Sequence, residues 1–397
     1  MLYQTMPYEK VWYGKDVVKE HLVHEIKRYQ GSRILIVTTN SLMKTEFYQN
    51  LLEILKEYRT FIFKSRQHVP IESLVSKYEE IKRFNPDVVV SFGGGSSIDS
   101  AKILTMMLFY RISSEDELID YAINKERTAT LSPTLIPHFT IPTTLSAAEF
   151  THSGGFTYQS DGGKKQRLAN LAMTPNQIYL DPTYSVETSI DFWISTGLRA
   201  VDHAVETLYS PKESPVNQAL ALESLKYLFQ FLPLAKENPQ SLEYRLNCQI
   251  GSWLSLFSTV NIKTGLSHMI GHQLGSFYGI PHGITSAIML PNVMEFLKPY
   301  TFKKQALLYQ ALSETGMKRT AFDMSDEEKA AQSAEFIRDL VVRLEIPNKL
   351  RDFNVTIESL PAVVESIMEE VKFKEDTFLL ALPNLEEGVL SILKKAW

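Results

Sequence analysis

A single cysteine, Cys248, stands in a chain of 397 residues. That excludes a disulfide framework and any multi-cysteine metal site, and it suits a reducing compartment such as the cytosol. No stretch approaches the roughly 20 uninterrupted apolar residues of a membrane-spanning helix. Met1 to Lys15 is polar and aromatic rather than basic and then apolar, so no secretory signal is read there. Charge of one sign is concentrated nowhere: 41 basic residues face 46 acidic ones, a net of −5. Nucleic acid and anionic membrane surfaces are therefore poor candidates as partners. Low-complexity linkers and fixed-period repeats are also missing. What is present is a globular composition, 44% apolar and 22% charged, incompatible with wholesale disorder. At about 150 residues per domain the length suggests two or three domains. A soluble, cytoplasmic protein is the expectation.

The first 180 or so residues alternate strand and helix signals. Arg33 to Thr39 is a β-branched run without alternation, as a parallel strand buried on both faces requires. Helical spacing of Leu51, Leu52, Ile54 and Leu55 follows, then a strand over Thr60–Phe63, a helix over Ile71–Phe84 and a strand over Asp87–Ser91. This alternation predicts βαβ units around a parallel sheet. After Asp181-Pro182 strand signals fade, and long helices are predicted over Ile190–Tyr209, Val216–Phe231 and Glu243–Thr259, with more to Trp397. The division expected is an α/β Rossmann-like nucleotide-binding domain over 1–185 and an all-α catalytic domain over 186–397, with the boundary near 182–190. A cleft between two such domains is a usual place for cofactor and substrate to meet.

Gly93-Gly94-Gly95-Ser96 falls where a strand ends and a helix begins. Glycines permit a tight turn and close approach of a ligand to the backbone, and free N–H groups at a helix start attract an anion such as a pyrophosphate. The turn is neither a G-x-G-x-x-G fingerprint nor a P-loop. Pro142-Thr143-Thr144 follows another strand-like run, His138 to Ile141, and its hydroxyls suit contact with a ribose or an amide.

Of nine histidines, His21, His24, His68, His138 and His152 look scattered. His268 and His272 lie four apart and so share a helix face. His282 follows in the turn Gly279-Ile280-Pro281-His282-Gly283, and His203 sits upstream in the helix that begins near Gly197. Converging imidazoles suit Zn²⁺ or Fe²⁺, here with nitrogen and oxygen ligands only.

Together, these residues resemble the iron-containing (group III) alcohol dehydrogenase family. The glycine turn with Asp99 and Lys102, Pro142-Thr143-Thr144 ending in Glu149, the Gly197…His203-Ala204…Glu206 helix, and His268…His272…Pro281-His282-Gly283 follow the family's order from about residue 33 to 296. The resemblance implies a Rossmann-like nucleotide domain, a helical domain, and hydride transfer between NAD or NADP and an alcohol/carbonyl pair. It implies that Gly94, Gly95 and Ser96, with Asp99 in the same turn, hold the pyrophosphate, and that Thr143, Thr144 and Lys165 line the nucleotide. It also implies that His203, His268 and His282 are metal ligands, that His272 stands beside the reacting centre, and that the chain forms oligomers. Thr39-Asn40 occupies the place where NAD-preferring relatives carry an acidic residue, so a 2′-phosphate is not repelled and either cofactor is admitted.

One position departs from the family. Four residues before His203, where the family places an aspartate ligand, stands Arg199. A guanidinium is always charged and cannot ligate a cation. About 4 Å from a divalent ion, at an effective dielectric of about 20, the repulsion is roughly 8 kcal/mol. Asp202, adjacent to His203 and about 100° away around the helix, is not expected to substitute. The maleylacetate reductases, which the chain resembles in Asp181-Pro182 and His203-Ala204-Val205-Glu206…Leu208-Tyr209, tolerate loss of the aspartate. The expectation is a site that is metal-free or binds Fe or Zn poorly. There Arg199 polarises a carbonyl or clamps a substrate carboxylate, and His272 or His268 relays a proton. Maleylacetate reduction, a dehydroquinate-synthase-like lyase, and a nucleotide-binding protein without activity are the alternatives.

Overall fold

The computed structural model describes residues 3–123, 135–158, 164–212, 214–313 and 324–397, without the side chains of 123, 164 and 165. It divides into two compact units. One comprises Gln4–Ser189 with Gln240–Gln249, the other Ile190–Pro239 with Ile250–Trp397. The segment Gln240–Gln249 belongs to the first unit because Arg245, fully buried, donates from Nη1 to the Ser185 carbonyl (2.9 Å) and from Nη2 to that of Thr188 (3.3 Å). A single cut in the sequence does not express this return.

The first unit runs β1 (Lys10–Tyr13), α1 (Val17–Arg28), β2 (Arg33–Thr39), α2 (Glu46–Ile54), β3 (Arg59–Ser65), α3 (Ile71–Val75), α4 (Tyr78–Phe84), β4 (Val88–Gly93), α5 (Gly95–Tyr110), α6 (Glu115–Ile123), β5 (His138–Pro142), β6 (Ser153–Tyr158), β7 (Lys164–Ala169) and β8 (Gln177–Leu180). Six strands form a parallel sheet in the order β1-β8-β5-β4-β2-β3, and β6 and β7 form an antiparallel hairpin. In β2, Ile34 and Ile36 enter one core with Leu22, Ile26 and Leu51, while Leu35 and Val37 enter the other with Ile71, Leu74 and Leu104. Burial on both faces is why the strand lacks alternation. The single helix expected over Ile71–Phe84 is two. Ser76 Oγ bonds back to the Ser73 carbonyl (3.1 Å), and the Lys77 N–H reaches Leu74 O (3.2 Å). The side chain thus competes for backbone groups and the turn tightens there.

The second unit is helical. It contains α7 (Ile190–Leu208) and α8 (Pro215–Glu237). After α9 (Leu242–Ser255) come α10 (Leu266–Tyr278), α11 (His282–Ser313), α12 (Asp326–Arg343), α13 (Leu360–Phe373), α14 (Thr377–Leu380) and α15 (Leu385–Ala396). Most of α7 is buried. A Cβ on Gly283 would lie 1.8 Å from the Ser195 carbonyl oxygen, so α7 and the start of α11 meet backbone to backbone and only glycine fits. That contact places the 199–206 face of α7 near the first turn of α11. No helix among the described residues is long and apolar enough to cross a membrane.

Candidate active site

In the α/β unit the glycine turn caps α5. Gly93 has φ +149°, a backbone conformation that favours glycine. A Cβ on Gly94 would meet Thr144 Cγ2 at 2.9 Å, and one on Gly95 would meet Ser146 Oγ at 3.3 Å. The cradle is therefore closed to larger side chains. The first turn of α5 carries no acidic residue and no side-chain cap, leaving its leading N–H groups for an anion. Ser97 Oγ, fully buried in that turn, has no partner among the described residues. These features fit a dinucleotide phosphate.

The other residues expected at the nucleotide are placed as follows. Thr143 and Thr144 are buried, with Thr143 N donating to Gly93 O (3.1 Å) and Thr144 Oγ1 to Ser146 Oγ (3.4 Å). The Ser96 carbonyl accepts from Ser65 Oγ (3.0 Å). Asp99 Oδ2 accepts from the Gly155 N–H (3.1 Å), tying α5 to the hairpin. Thr39 Oγ1 closes the turn after β2, against Ser41 Oγ (2.9 Å) and Leu42 N (3.4 Å). The side chain of Lys165 lies outside the described residues.

The helical unit gathers the polar residues of α7 and α10. Arg199 points inward: its Nη1 donates to Ser286 Oγ (3.1 Å) and lies 3.4 Å from Asp202 Oδ2. Asp202 Oδ2 also accepts from Ser286 Oγ (2.6 Å) and Ser267 Oγ (3.1 Å). Glu206 Oε2 accepts from Gly265 N and Oε1 from Ser267 N, both at 2.7 Å. His268 Nδ1 lies 2.5 Å from Glu206 Oε2 and 3.4 Å from Asp202 Oδ2, and the His203 and His268 rings stack at 4.7 Å. Among the described residues Asp202 Oδ1, His203 Nδ1 and His268 Nε2 are buried without partners. His272 and His282 meet edge to face at 5.5 Å, and His272 Nδ1 is 3.2 Å from Glu370 Oε1.

The expectation that Asp202 turns away is corrected. Positions 199, 202, 203 and 206 stand at i, i+3, i+4 and i+7, one stripe wide enough to hold both Asp202 and His203. Helical spacing could have found this; Glu370, almost a hundred residues beyond His272, offers no such signal.

Burial sets the charge states. It raises the carboxyls of Asp202 and Glu206, each also raised or relieved by its charged neighbours, so the pair retains a proton that exposed carboxyls would release. Burial, then His268 and Arg199, pushes His203 well below its usual range, and burial with Arg199 does the same to His268. Burial also lowers His272, to about 4, against the pull of Glu370. Glu370 resists its own burial and is held down at about 2 by His272 and Lys374. Arg199, lowered by burial, stays charged in any accessible range. Asp202, Glu206 and His268 offer donor atoms within 4.8 Å of one another, but Asp202 Oδ2 is engaged by Ser267, Ser286 and the guanidinium, and both Glu206 oxygens by the backbone N–H groups of Gly265 and Ser267. The residues do not fit the divalent ion of the family pattern, because the place of its aspartate is filled by a buried cation.

The sequence model described as iron-containing alcohol dehydrogenase matches residues 8–182. That of the Fe-containing alcohol dehydrogenase family, C-terminal, matches 193–397. The chain belongs to the iron-containing alcohol dehydrogenase family. A dehydrogenase of Gibberella moniliformis, FUM7, is 29% identical over 88% of each chain. Maleylacetate reductase 1 of Cupriavidus pinatubonensis is 26% identical over 71% of this chain and 74% of its own. The crystal structure of a 1,3-propanediol oxidoreductase superposes with a TM-score of 0.89 at 23% identity, covering both chains completely. The fold is that of the family, and the protein is an oxidoreductase of this family.

Proposed function

We propose that the protein transfers a hydride between NAD or NADP and an alcohol/carbonyl pair, with Arg199 as the fixed cation of its catalytic site. The observation that carries this is the state of the guanidinium. Among the described residues only Nη1 has partners, the side chain keeps 11% exposure, and Nε–H and Nη2–H are left for a substrate oxygen. Gly94, Gly95 and Ser96 would hold the dinucleotide, which when bound supplies the hydride at its nicotinamide. As the carbonyl carbon gains that hydride, the negative charge on oxygen meets two N–H donors of a preorganised cation, the arrangement that stabilises an oxyanion. His272 or His268 gives the oxygen its proton, and the proton retained by Asp202 and Glu206 lies next to His268.

A two-donor guanidinium edge also fits a carboxylate. This favours a second reading, reduction of an unsaturated keto acid, and the maleylacetate reductase relative supports it. The test is oxidation of NADH and NADPH by the purified protein over a panel of aldehydes and keto acids. Turnover with at least one is expected. Saturable cofactor binding with no turnover on any substrate would instead mark a nucleotide-binding protein without activity.

A further inference from the structure

We infer that Glu370 is a positioning residue for His272. Its carboxylate accepts a hydrogen bond from Nδ1–H, fixes the ring in one tautomer and one rotation, and leaves Nε2 as the nitrogen that exchanges a proton with substrate. This rests on the reading of His272 as a proton relay.

The geometry behind it is a carboxylate more restrained than a surface pair needs. Glu370, on α13, faces α10, which carries His272. Its Oε1 lies 3.2 Å from His272 Nδ1 and 2.5 Å from Lys374 Nζ. Its Oε2 accepts from Gln273 Nε2 at 2.6 Å, and Gln273 Oε1 in turn accepts from Ser366 Oγ at 2.7 Å. Both carboxylate oxygens are thereby fixed by residues of the two helices. His282 bounds the His272 ring on another side, at 73° to it. A neutral imidazole has one donor and one acceptor nitrogen, and the other nitrogen's partner decides which is which. Facing a carboxylate that only accepts, Nδ1 must carry the hydrogen. In the oxidation direction Nε2 then accepts the hydroxyl proton as the alcohol carbon loses its hydride. In reduction Nε2 of the half-exposed ring first takes a proton from solvent and then gives it to the oxygen as the carbonyl carbon gains its hydride. A rotated or tautomerised ring would present N–H where a lone pair is needed.

The test uses the full-length protein labelled with ¹⁵N-histidine, the His272 signals being assigned by their loss in His272→Gln. Long-range ¹H–¹⁵N correlation is expected to show His272 as the Nδ1–H tautomer. In Glu370→Ala a mixture of tautomers should appear, with kcat lowered roughly tenfold to a hundredfold and the cofactor KM within about twofold of the parent. Glu370→Gln, whose amide oxygen still accepts from Nδ1, should regain the single tautomer and part of the turnover. An Nε2–H tautomer in the unaltered protein overturns the inference, as does an unchanged tautomer and kcat in Glu370→Ala. The unaltered spectrum decides even if Glu370→Ala does not fold. Failure of the unaltered protein to oxidise either reduced cofactor would sink the proposed function and leave the tautomer result standing on its own.

Discussion

Lys102 in the α/β unit and Arg199 in the helical unit are both buried cations, and their surroundings differ in kind. Lys102 Nζ donates to the carbonyls of Ala148, Thr151 and Ser153 and to Thr151 Oγ1, at 2.7–3.0 Å. Those acceptors are neutral, and burial lowers the amine to about 8. Every hydrogen it can donate is used inside the fold, where it pins the segment after Thr144 against α5. Arg199 shares one nitrogen with a carboxylate and a hydroxyl, and Asp202 Oδ1, His203 Nδ1 and His268 Nε2 around it are buried without partners among the described residues. A cation whose donors are all spent holds structure; one with donors in reserve, beside acceptors in reserve, is built to meet a ligand.

The sharpest way to break the contrast is to remove each cation in turn. Arg199→Met should lower kcat/KM by about 10²–10³, as loss of an oxyanion donor does elsewhere. Steady-state kinetics with the best substrate of the panel measures this, and a change below about threefold would erase the distinction. Lys102→Met should act on the other axis. It strands several buried oxygens, each worth on the order of 1–3 kcal/mol, so chemical denaturation should show a large loss of stability.

The difference between the two cations was only half written in the sequence. Both glycine turn and histidines stood out because backbone freedom and imidazole chemistry are tied to residue type and to short spacings. Their neighbours Thr143 and Thr144 were legible for the same reason. Arg199 could be marked as a departure, but its direction could not: that is set by Ser286 on α11, brought close by the Gly283 crossing. Asp202 was misjudged because a pairwise angle to His203 ignored the width of a helix face. Glu370 depends on long-range packing, and no local period announces it.

A smaller effect concerns His138, buried in the sheet with Nε2 against Ser91 Oγ at 2.8 Å. Burial, aided by the charge of Lys102, lowers it to about 3. The unfolded chain therefore binds a proton below about pH 6.5 that the folded one refuses until near pH 3. Stability from this group is whole above that range and is lost as pH falls through it, by up to about 1.4 kcal/mol per unit. His138→Leu should flatten the acid limb of a stability–pH profile, measured by urea unfolding between pH 4 and 7. An unaltered slope would mean the imidazole is protonated in the fold.

On this reading, the guanidinium of Arg199 takes the part a divalent ion plays in the family. That role is tested most directly by metal analysis of the purified protein, paired with NAD(P)H oxidation before and after exhaustive dialysis against a chelator. Substoichiometric Fe and Zn with undiminished turnover is the predicted result. One equivalent of either metal, with activity lost on chelation and regained on its return, would contradict it.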